Sequence, residues 1–446
     1  MGLVDLVHLV EKWIWGWPLI LFVVGVSVIW TVALRGVQFR CLLRAWRGAF
    51  ALSEAPAGVG KQLSPRDAFI NTLSANLGNS ALAGMATAVA MGGPGAGLWA
   101  VIIGLLLMAI RFAEVYTSTE YGKEMPAGST LGGPMLYLRD ALGGRALAYA
   151  YGMCALFFGM ALGNAAQANS ILLSVVTTWD VHPYIVAAVL VAFVVYVVLG
   201  GAARVIKISD KLVPVKVALF FIPSFLLLFY HYATLWSSLK LICLSALAPS
   251  AIMGGALGYT VQQALRYGMD RSIMATESGL GTSAILFGFT GSKDAFGSAL
   301  MGMLSTFIST CVCFMVVWCI VASGVWQSGL TSTALNIAAF ETLFGSAIAG
   351  WLVTFLSTAF GVGLIVTYAY VMRAVWLFLT GGRWLWGYVI CYCLFTAFGA
   401  LATVEVVWSL GAIANGGLLA TNLFGLLCLL PKIAPKVCRS IATCGD

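Results

Sequence analysis

The stretch Ser74-Ala75-Asn76-Leu77-Gly78-Asn79-Ser80 places polar residues and a glycine inside a long apolar segment. Such a stretch interrupts a helix, because glycine weakens it and the side chains of asparagine and serine compete for its backbone hydrogen bonds. Interrupted backbone is tolerated within a membrane only where protein or a water-filled cavity satisfies its polar groups. We therefore predict a broken membrane helix here, with a binding site beside it.

A second interruption is predicted in the other half of the chain. Pro249-Ser250, Gly254-Gly255 and Gly258 lie in another long apolar segment. Close packing between helices is the alternative explanation for such glycines. Two interrupted helices at corresponding positions of two halves are, however, the best sequence indication of a transporter binding site.

The composition indicates a membrane protein. Of the 446 residues, 61% are hydrophobic and 9% are charged, against about 25% charged in soluble domains. The net charge of +8 is spread between hydrophobic segments, which is typical of membrane proteins and does not indicate nucleic-acid binding. The 11 cysteines and three histidines form no metal-binding pattern. We expect an all-α chain whose main partner is the lipid bilayer.

Hydropathy divides the chain into about eleven transmembrane helices, since each span needs about 20 apolar residues. Their predicted bounds are 17–35, 67–91, 97–117, 148–178, 184–200, 211–231, 242–266, 296–324, 348–372, 384–406 and 409–431.

The distribution of lysine and arginine predicts the orientation. With the N-terminus outside, only Lys12 and Lys240 remain clearly outside, as the positive-inside rule requires. The C-terminus is then cytoplasmic. The inward-facing basic segments are 35–66, 123–145, 204–211, 271–293, 373–383 and 432–439.

The broken helices suggest how the chain is divided. Residues 67–231 would form one five-helix unit, and residues 242–431 a second unit of opposite topology. Residues 1–66 then supply an extra helix and a basic cytoplasmic loop, and residues 432–446 form a cytoplasmic tail.

Short motifs lie along nearly the whole chain. They are Gly36-Val37-Gln38-Phe39-Arg40, Met91-Gly92-Gly93-Pro94-Gly95-Ala96, Arg111-Phe112-Ala113-Glu114-Val115, Gly132-Gly133-Pro134-Met135-Leu136-Tyr137, Gly163-Asn164, Gln167-Ala168-Asn169-Ser170, Thr276-Glu277-Ser278-Gly279-Leu280-Gly281, Trp408 and Ile413-Ala414-Asn415-Gly416. In this order they resemble the alanine/glycine:cation symporter family. The resemblance implies a LeuT-like fold of two inverted five-helix repeats. It also implies sodium-coupled uptake of alanine or glycine across a bacterial or archaeal plasma membrane.

The expected binding site has two kinds of partner. The substrate carboxylate needs the free N–H groups of a half-helix, and its ammonium group needs the carbonyl groups of unwound backbone. The family also uses the position of Gln167 near the substrate. The candidate substrate-binding residues are Asn76, Gly78, Asn79, Ser80, Gln167, Gly255, Gly258 and Gln263.

Several positions depart from the family pattern. Asn79 and Ala81 replace a threonine and an asparagine, Ser309-Thr310 lacks an aspartate, and Ser409 and Ala412 replace aspartates. In an ungapped comparison, Gly363 and Leu364 stand where the family has two hydroxyl residues that help to hold sodium, whereas Ser357-Thr358 would match them only with a shift that breaks the downstream match. We therefore expect only backbone oxygens of Ala75, Gly78 and Gly363 at a sodium site, and a weakened or altered sodium dependence. No Asp, Glu or His falls at mid-depth in a predicted span, which argues against simple proton coupling.

Other functions receive less support. Sodium-independent exchange or facilitated diffusion is the nearest alternative. A membrane enzyme would need a catalytic cluster within the spans, and a channel would need a pore-lining ring. The sequence has no phosphate-binding loop, so ATP is not an expected partner. We expect Glu114 to form an i,i+3 ion pair with Arg111, and Glu277 to order or gate a loop.

The orientation can be tested with reporter fusions. A reporter that is active only in the cytoplasm should be active when it is fused to the C-terminus. It should be inactive when it is fused to a chain that is truncated after Lys240. Reporter activity only in the fusion after Lys240 would show that the topology is the opposite of the predicted one.

Overall fold

The computed structural model describes residues 13–53, 63–124, 130–247, 261–401 and 404–442. This part of the chain is almost entirely helical. Its short antiparallel pair, β1 (Lys123–Glu124) and β2 (Thr130–Leu131), aligns Lys123 with Leu131. The helices are α1 (Trp17–Ala33), α2 (Val37–Arg40), α3 (Leu42–Ser53), α4 (Pro65–Asn76), α5 (Met85–Gly92), α6 (Ala96–Glu120), α7 (Pro134–Leu136), α8 (Arg145–Met160), α9 (Ala166–Trp179), α10 (Pro183–Tyr230), α11 (Leu235–Leu247), α12 (Val261–Thr276), α13 (Thr282–Gly288), α14 (Ala295–Ala322), α15 (Ser332–Phe344), α16 (Ser346–Thr380), α17 (Leu385–Leu401) and α18 (Val404–Ala442).

Six helical segments of the described chain are long and apolar enough to cross a membrane. Shorter apolar helices, among them α1 and α17, accompany them. Large apolar side chains such as Phe229, Phe398 and Leu394 are exposed on the outside of the bundle, where lipid would cover them. The architecture is that of a helical membrane protein, while the count of about eleven spans stays a prediction. The segments are Ala96–Glu120, Arg145–Trp179, Pro183–Tyr230, Ala295–Ala322, Ser346–Thr380 and Gly411–Ile441.

Two predicted spans are followed by more helix than expected. The span predicted at 184–200 ends at a kink, where Gly201 has non-helical geometry (φ 59°, ψ −151°). The rest of the loop expected at 201–210 is helical, so that α10 consists of two helices joined at this kink. The tail expected from 432 continues as helix α18 to Ala442. The reason is the same in both places: charged residues mark where a chain leaves the apolar layer, and a helix does not have to end there.

Glycines bring α6 and α14 into close contact at the centre of the bundle. A Cβ atom added to Gly97 would lie 2.5 Å from Cγ1 of Val317, and one added to Gly104 would collide with Thr310. Small residues at such contacts let helix backbones approach closely within a membrane. This contact fixes α14 against the helices that carry the candidate site.

We expect Gly104→Ala to destabilise the protein. Its new methyl group has no room against Thr310, and overpacking of this kind costs about 1–3 kcal/mol. Gly25→Ala is the matched control, since no atom lies within 4 Å of a Cβ added to Gly25. The melting temperature of the purified protein should fall only for Gly104→Ala, and an equal effect of the two changes would contradict the close contact.

Candidate functional site

The predicted interruption of the second helix is confirmed. Helix α4 begins at a capping box, in which Ser64 Oγ accepts from the Asp67 amide and Asp67 Oδ2 accepts from the Ser64 amide. The helix ends at Asn76, and Leu77 leaves helical geometry (φ −87°, ψ 63°). A π-helical turn, Ser80–Gly84, then leads into α5. The carbonyl groups at the end of α4 and the amide groups after the break therefore lack the partners that a continuous helix supplies.

A large cavity reaches the break from one end of the molecule. It has a volume of about 690 Å³ and extends from Thr178 and Ser332 to Asn79 and Ser357. We call this cavity the vestibule. Its volume lies within the range of small-molecule sites. Its wall also carries charge, from Arg266 and from the ion pair of Asp270 with Arg271.

A second cavity, the inner cavity, includes Ser80, the residue that follows Asn79 of the vestibule wall. It is lined by Ser80, Gln167, Glu277 and Asn415, together with apolar side chains such as Phe158 and Leu364. Its volume of about 10 Å³ leaves room for roughly one water molecule. The inner cavity is therefore a small space in which four polar side chains meet an otherwise apolar wall.

Asn79 and Gln167, both predicted site residues, are brought together between the two cavities. Asn79 Nδ2 donates to Gln167 Oε1 and to the Ser357 carbonyl, each at 3.2 Å. Gln167 Nε2 donates to the Leu162 carbonyl at 3.0 Å. Because Asn79 lines the vestibule and Gln167 lines the inner cavity, this hydrogen bond lies on the route between them.

The other predicted substrate residues are distributed differently. Ser80 lines the inner cavity, whereas Asn76 points to α14 and donates to Ser305 Oγ at 3.3 Å. A Cβ on Gly78 would lie 3.3 Å from Cδ1 of Leu364, so this glycine packs against α16. Gln263 is exposed on α12 and lines neither cavity. Gly255 and Gly258, with the predicted second interruption, lie outside the described residues.

The predicted Arg111–Glu114 ion pair is present and fully buried, with Arg111 Nη1 3.6 Å from Glu114 Oε2. Glu114 Oε1 also accepts from the Gly281 amide at 2.8 Å and from Asn422 Nδ2 at 2.6 Å. The pair therefore ties the loop before α13 to α6 and α18. Glu277, in the same loop, is buried and accepts from Thr282 Oγ1.

Lys216 was not predicted as a site residue. This lysine is fully buried on α10, and its Nζ atom donates to the carbonyl oxygens of Ser74 (2.7 Å) and Leu77 (3.1 Å) and to Ser74 Oγ (3.2 Å). It thus lies against the end of α4, beside the Ala75 and Gly78 positions predicted for a metal ion. A lysine inside the apolar run 211–231 was the available signal, because a charge within a predicted span is a functional candidate by default.

The third predicted metal position, Gly363 of α16, lies at the same place. A Cβ added to Gly363 would lie 2.7 Å from Lys216 Nζ and 2.7 Å from Ser74 Oγ. The structure therefore brings α4 and α16 together, as a cation site between them requires. The described residues place a lysine ammonium group in this space.

We expect Glu114→Ala to lower stability severely, since it leaves the buried Arg111 charge without its carboxylate. Breaking a buried pair in this way costs about 3–5 kcal/mol. Glu120→Ala is the control. Glu120 forms an exposed pair with Lys436, and such pairs contribute about 1 kcal/mol or less. Thermal unfolding would contradict this assignment if the two variants lost similar stability.

Comparison with known proteins places the chain among transporters. The model of the sodium:alanine symporter family matches residues 1–441. An uncharacterized transporter of Haemophilus influenzae is 30% identical, over 96% of this chain and 94% of its own length. The sodium/alanine symporter AgcS of Methanococcus maripaludis is 28% identical, over 96% and 95%. The probable sodium/glutamine symporter GlnT of Bacillus subtilis is 26% identical, over 96% and 88%. The family and these relatives are transporters and not enzymes, and this chain belongs to the sodium:alanine symporter family.

Proposed function

We propose that this protein carries a small neutral amino acid, alanine or glycine, across a bacterial or archaeal plasma membrane by alternating access. The observation that supports this most is the interrupted backbone after Asn76, which leads into Asn79 of the vestibule wall and Ser80 of the inner cavity. Membership of a family of amino-acid transporters supports the substrate class.

The break suits both ends of an amino acid. The N–H groups at the start of the π-helical turn and α5 carry the positive end of a helix dipole, which favours a carboxylate. The Gln167 and Asn415 side chains, which line the inner cavity, offer amide oxygens for an ammonium group.

The size of the inner cavity favours a small side chain. Its volume is about 10 Å³, and a Cβ added to Gly163 would lie only 2.5 Å from Cγ of Tyr368. Alanine or glycine would require the smallest rearrangement of the side chains around this cavity, whereas a glutamine side chain would require space for several more atoms.

The proposal includes a LeuT-like arrangement, in which 67–231 and 242–431 are inverted repeats. The long helices in each half and the break in α4 support it. With the N-terminus outside, the vestibule would open outward, since Trp15 and the ends of α9 and α15 lie at its wall. Arg271, which was predicted to begin an inward-facing segment, also lies on that wall and would then belong to the outer half of the bundle.

The coupling mode has two candidates. The family name suggests sodium as the coupling ion, and hard cations prefer oxygen ligands. Lys216, however, already uses the carbonyl oxygens of Ser74 and Leu77. This contact specifically favours the second candidate, sodium-independent exchange or facilitated diffusion.

Uptake of labelled alanine and glycine into proteoliposomes tests the proposed function. We expect saturable uptake that excess unlabelled alanine blocks, measured with and without an inward sodium gradient. Folded protein that takes up neither amino acid under either condition would overturn the substrate assignment.

Gln167→Ala tests the site itself. Loss of one or two hydrogen bonds, about 1–2 kcal/mol, corresponds to a 5- to 30-fold rise in KM for alanine. Gln38→Ala is the matched control, because Gln38 is a buried amide that bonds to Thr31 and lines neither cavity. The site would be misplaced if Gln167→Ala left the KM unchanged or if Gln38→Ala raised it equally.

A further inference from the structure

Lys216 is the buried charge that the proposed function does not yet explain. Its side chain is 0% exposed, and it belongs to none of the ion pairs found among the described residues. All the polar contacts of its Nζ atom go to oxygens at the end of α4, namely the Ser74 carbonyl, the Ser74 hydroxyl and the Leu77 carbonyl. These contacts match the three N–H donors of an ammonium group.

Several contacts offset part of the cost of burying the positive charge of Lys216, although no carboxylate pairs with it among the described residues. Removal of an ion from water is costly unless good geometry and hydrogen bonds offset the cost. Here the C-terminal end of α4 contributes the negative end of a helix dipole. The Phe360 ring also lies 5.7 Å from Nζ, within the range of a cation–π contact.

The contact serves the helix as well as the lysine. Carbonyl groups at the end of a helix need a new partner, and none is available from lipid. A bound cation between α4 and α16 would supply that partner, and so does the ammonium group of Lys216.

Helix α16, on the opposite side of this space, has no side chain at the corresponding position. Gly363 has no side chain to offer a cation, and a Cβ there would lie 2.7 Å from Lys216 Nζ. The glycine therefore leaves the space that the ammonium group fills. One helix lacks a side-chain ligand at the same point where another contributes a fixed charge.

We propose that Lys216 is a tethered cation, which takes the place of a sodium ion at the end of α4 and makes amino-acid binding independent of sodium. The inference rests on the proposed function, in that the break is taken as the substrate site. The covalently held charge would not leave with the substrate, so that a sodium gradient would not drive uptake through this position.

Two variants of Lys216 distinguish the effect of its positive charge from the effect of its side-chain volume. Lys216→Met keeps most of the side-chain volume but removes the charge and leaves no room for an ion. Lys216→Ala opens a space that sodium, or propylammonium as the fragment removed, can enter. Lys207→Ala is the matched control, because Lys207 is exposed on the same helix.

Alanine binding is measured on the purified full-length protein in sodium chloride and in choline chloride. The wild type and Lys207→Ala should have the same Kd in both salts. For Lys216→Met the Kd should rise about 100-fold in both, because two carbonyl groups lose their partner. For Lys216→Ala it should rise in choline and recover in sodium or propylammonium.

Two results would overturn the inference: wild-type binding that requires sodium, or Lys216→Met binding that equals the wild type. Melting temperatures distinguish an error in the tethered-cation inference from an error in the proposed substrate. If the wild type binds neither alanine nor glycine, sodium should still raise the melting temperature of Lys216→Ala, since binding stabilises the folded state. Sodium should not raise that of the wild type or Lys216→Met, and an equal response of all three proteins would refute the tethered cation.

Discussion

The unpaired backbone between Asn76 and Ser80 is the constraint on which the site depends. A continuous helix would satisfy these carbonyl and amide groups internally, and lipid cannot replace the lost hydrogen bonds. Neighbouring helices supply the partners instead. Lys216 of α10 bonds to Ser74 and Leu77, while Ser309 of α14 bonds to Ala275 and approaches the Asn76 carbonyl at 3.5 Å. The break therefore organises the helices around it.

Much of the fold could be predicted from the sequence, because apolar runs and charged loops reflect the thickness of a bilayer. The interruption after α4 could also be predicted, because polar residues and glycine within an apolar run can be recognised in the local sequence. The ends of helices were harder to predict. Helix α10 continues past Arg204 and Asp210, and α18 continues past Pro431, because packing and backbone geometry decide where a helix stops.

Gln167 was predicted from a family motif, whereas Asn79 was predicted from the polar interruption, at a position where the sequence departs from the family. Asn79 and Gln167 meet across 88 residues of sequence, and Lys216 meets Ser74 across 142. No local pattern contains such a contact, which arises only from the arrangement of α4, α9 and α10. Asn76 and Gln263 lie elsewhere, since Asn76 bonds to Ser305 of α14 and Gln263 is exposed, and their roles in substrate binding stay predictions. A search for buried charges limited to Asp, Glu and His also overlooked the lysine.

The most direct measurement is an experimental structure of the protein with alanine, solved in sodium-free buffer and again in sodium chloride. The account predicts one arrangement in both, with alanine beside Asn79 and Gln167 and the Lys216 ammonium group against the Ser74 and Leu77 carbonyl oxygens. Density for an ion between α4 and Gly363 in sodium chloride, with Lys216 turned to another partner, would contradict it.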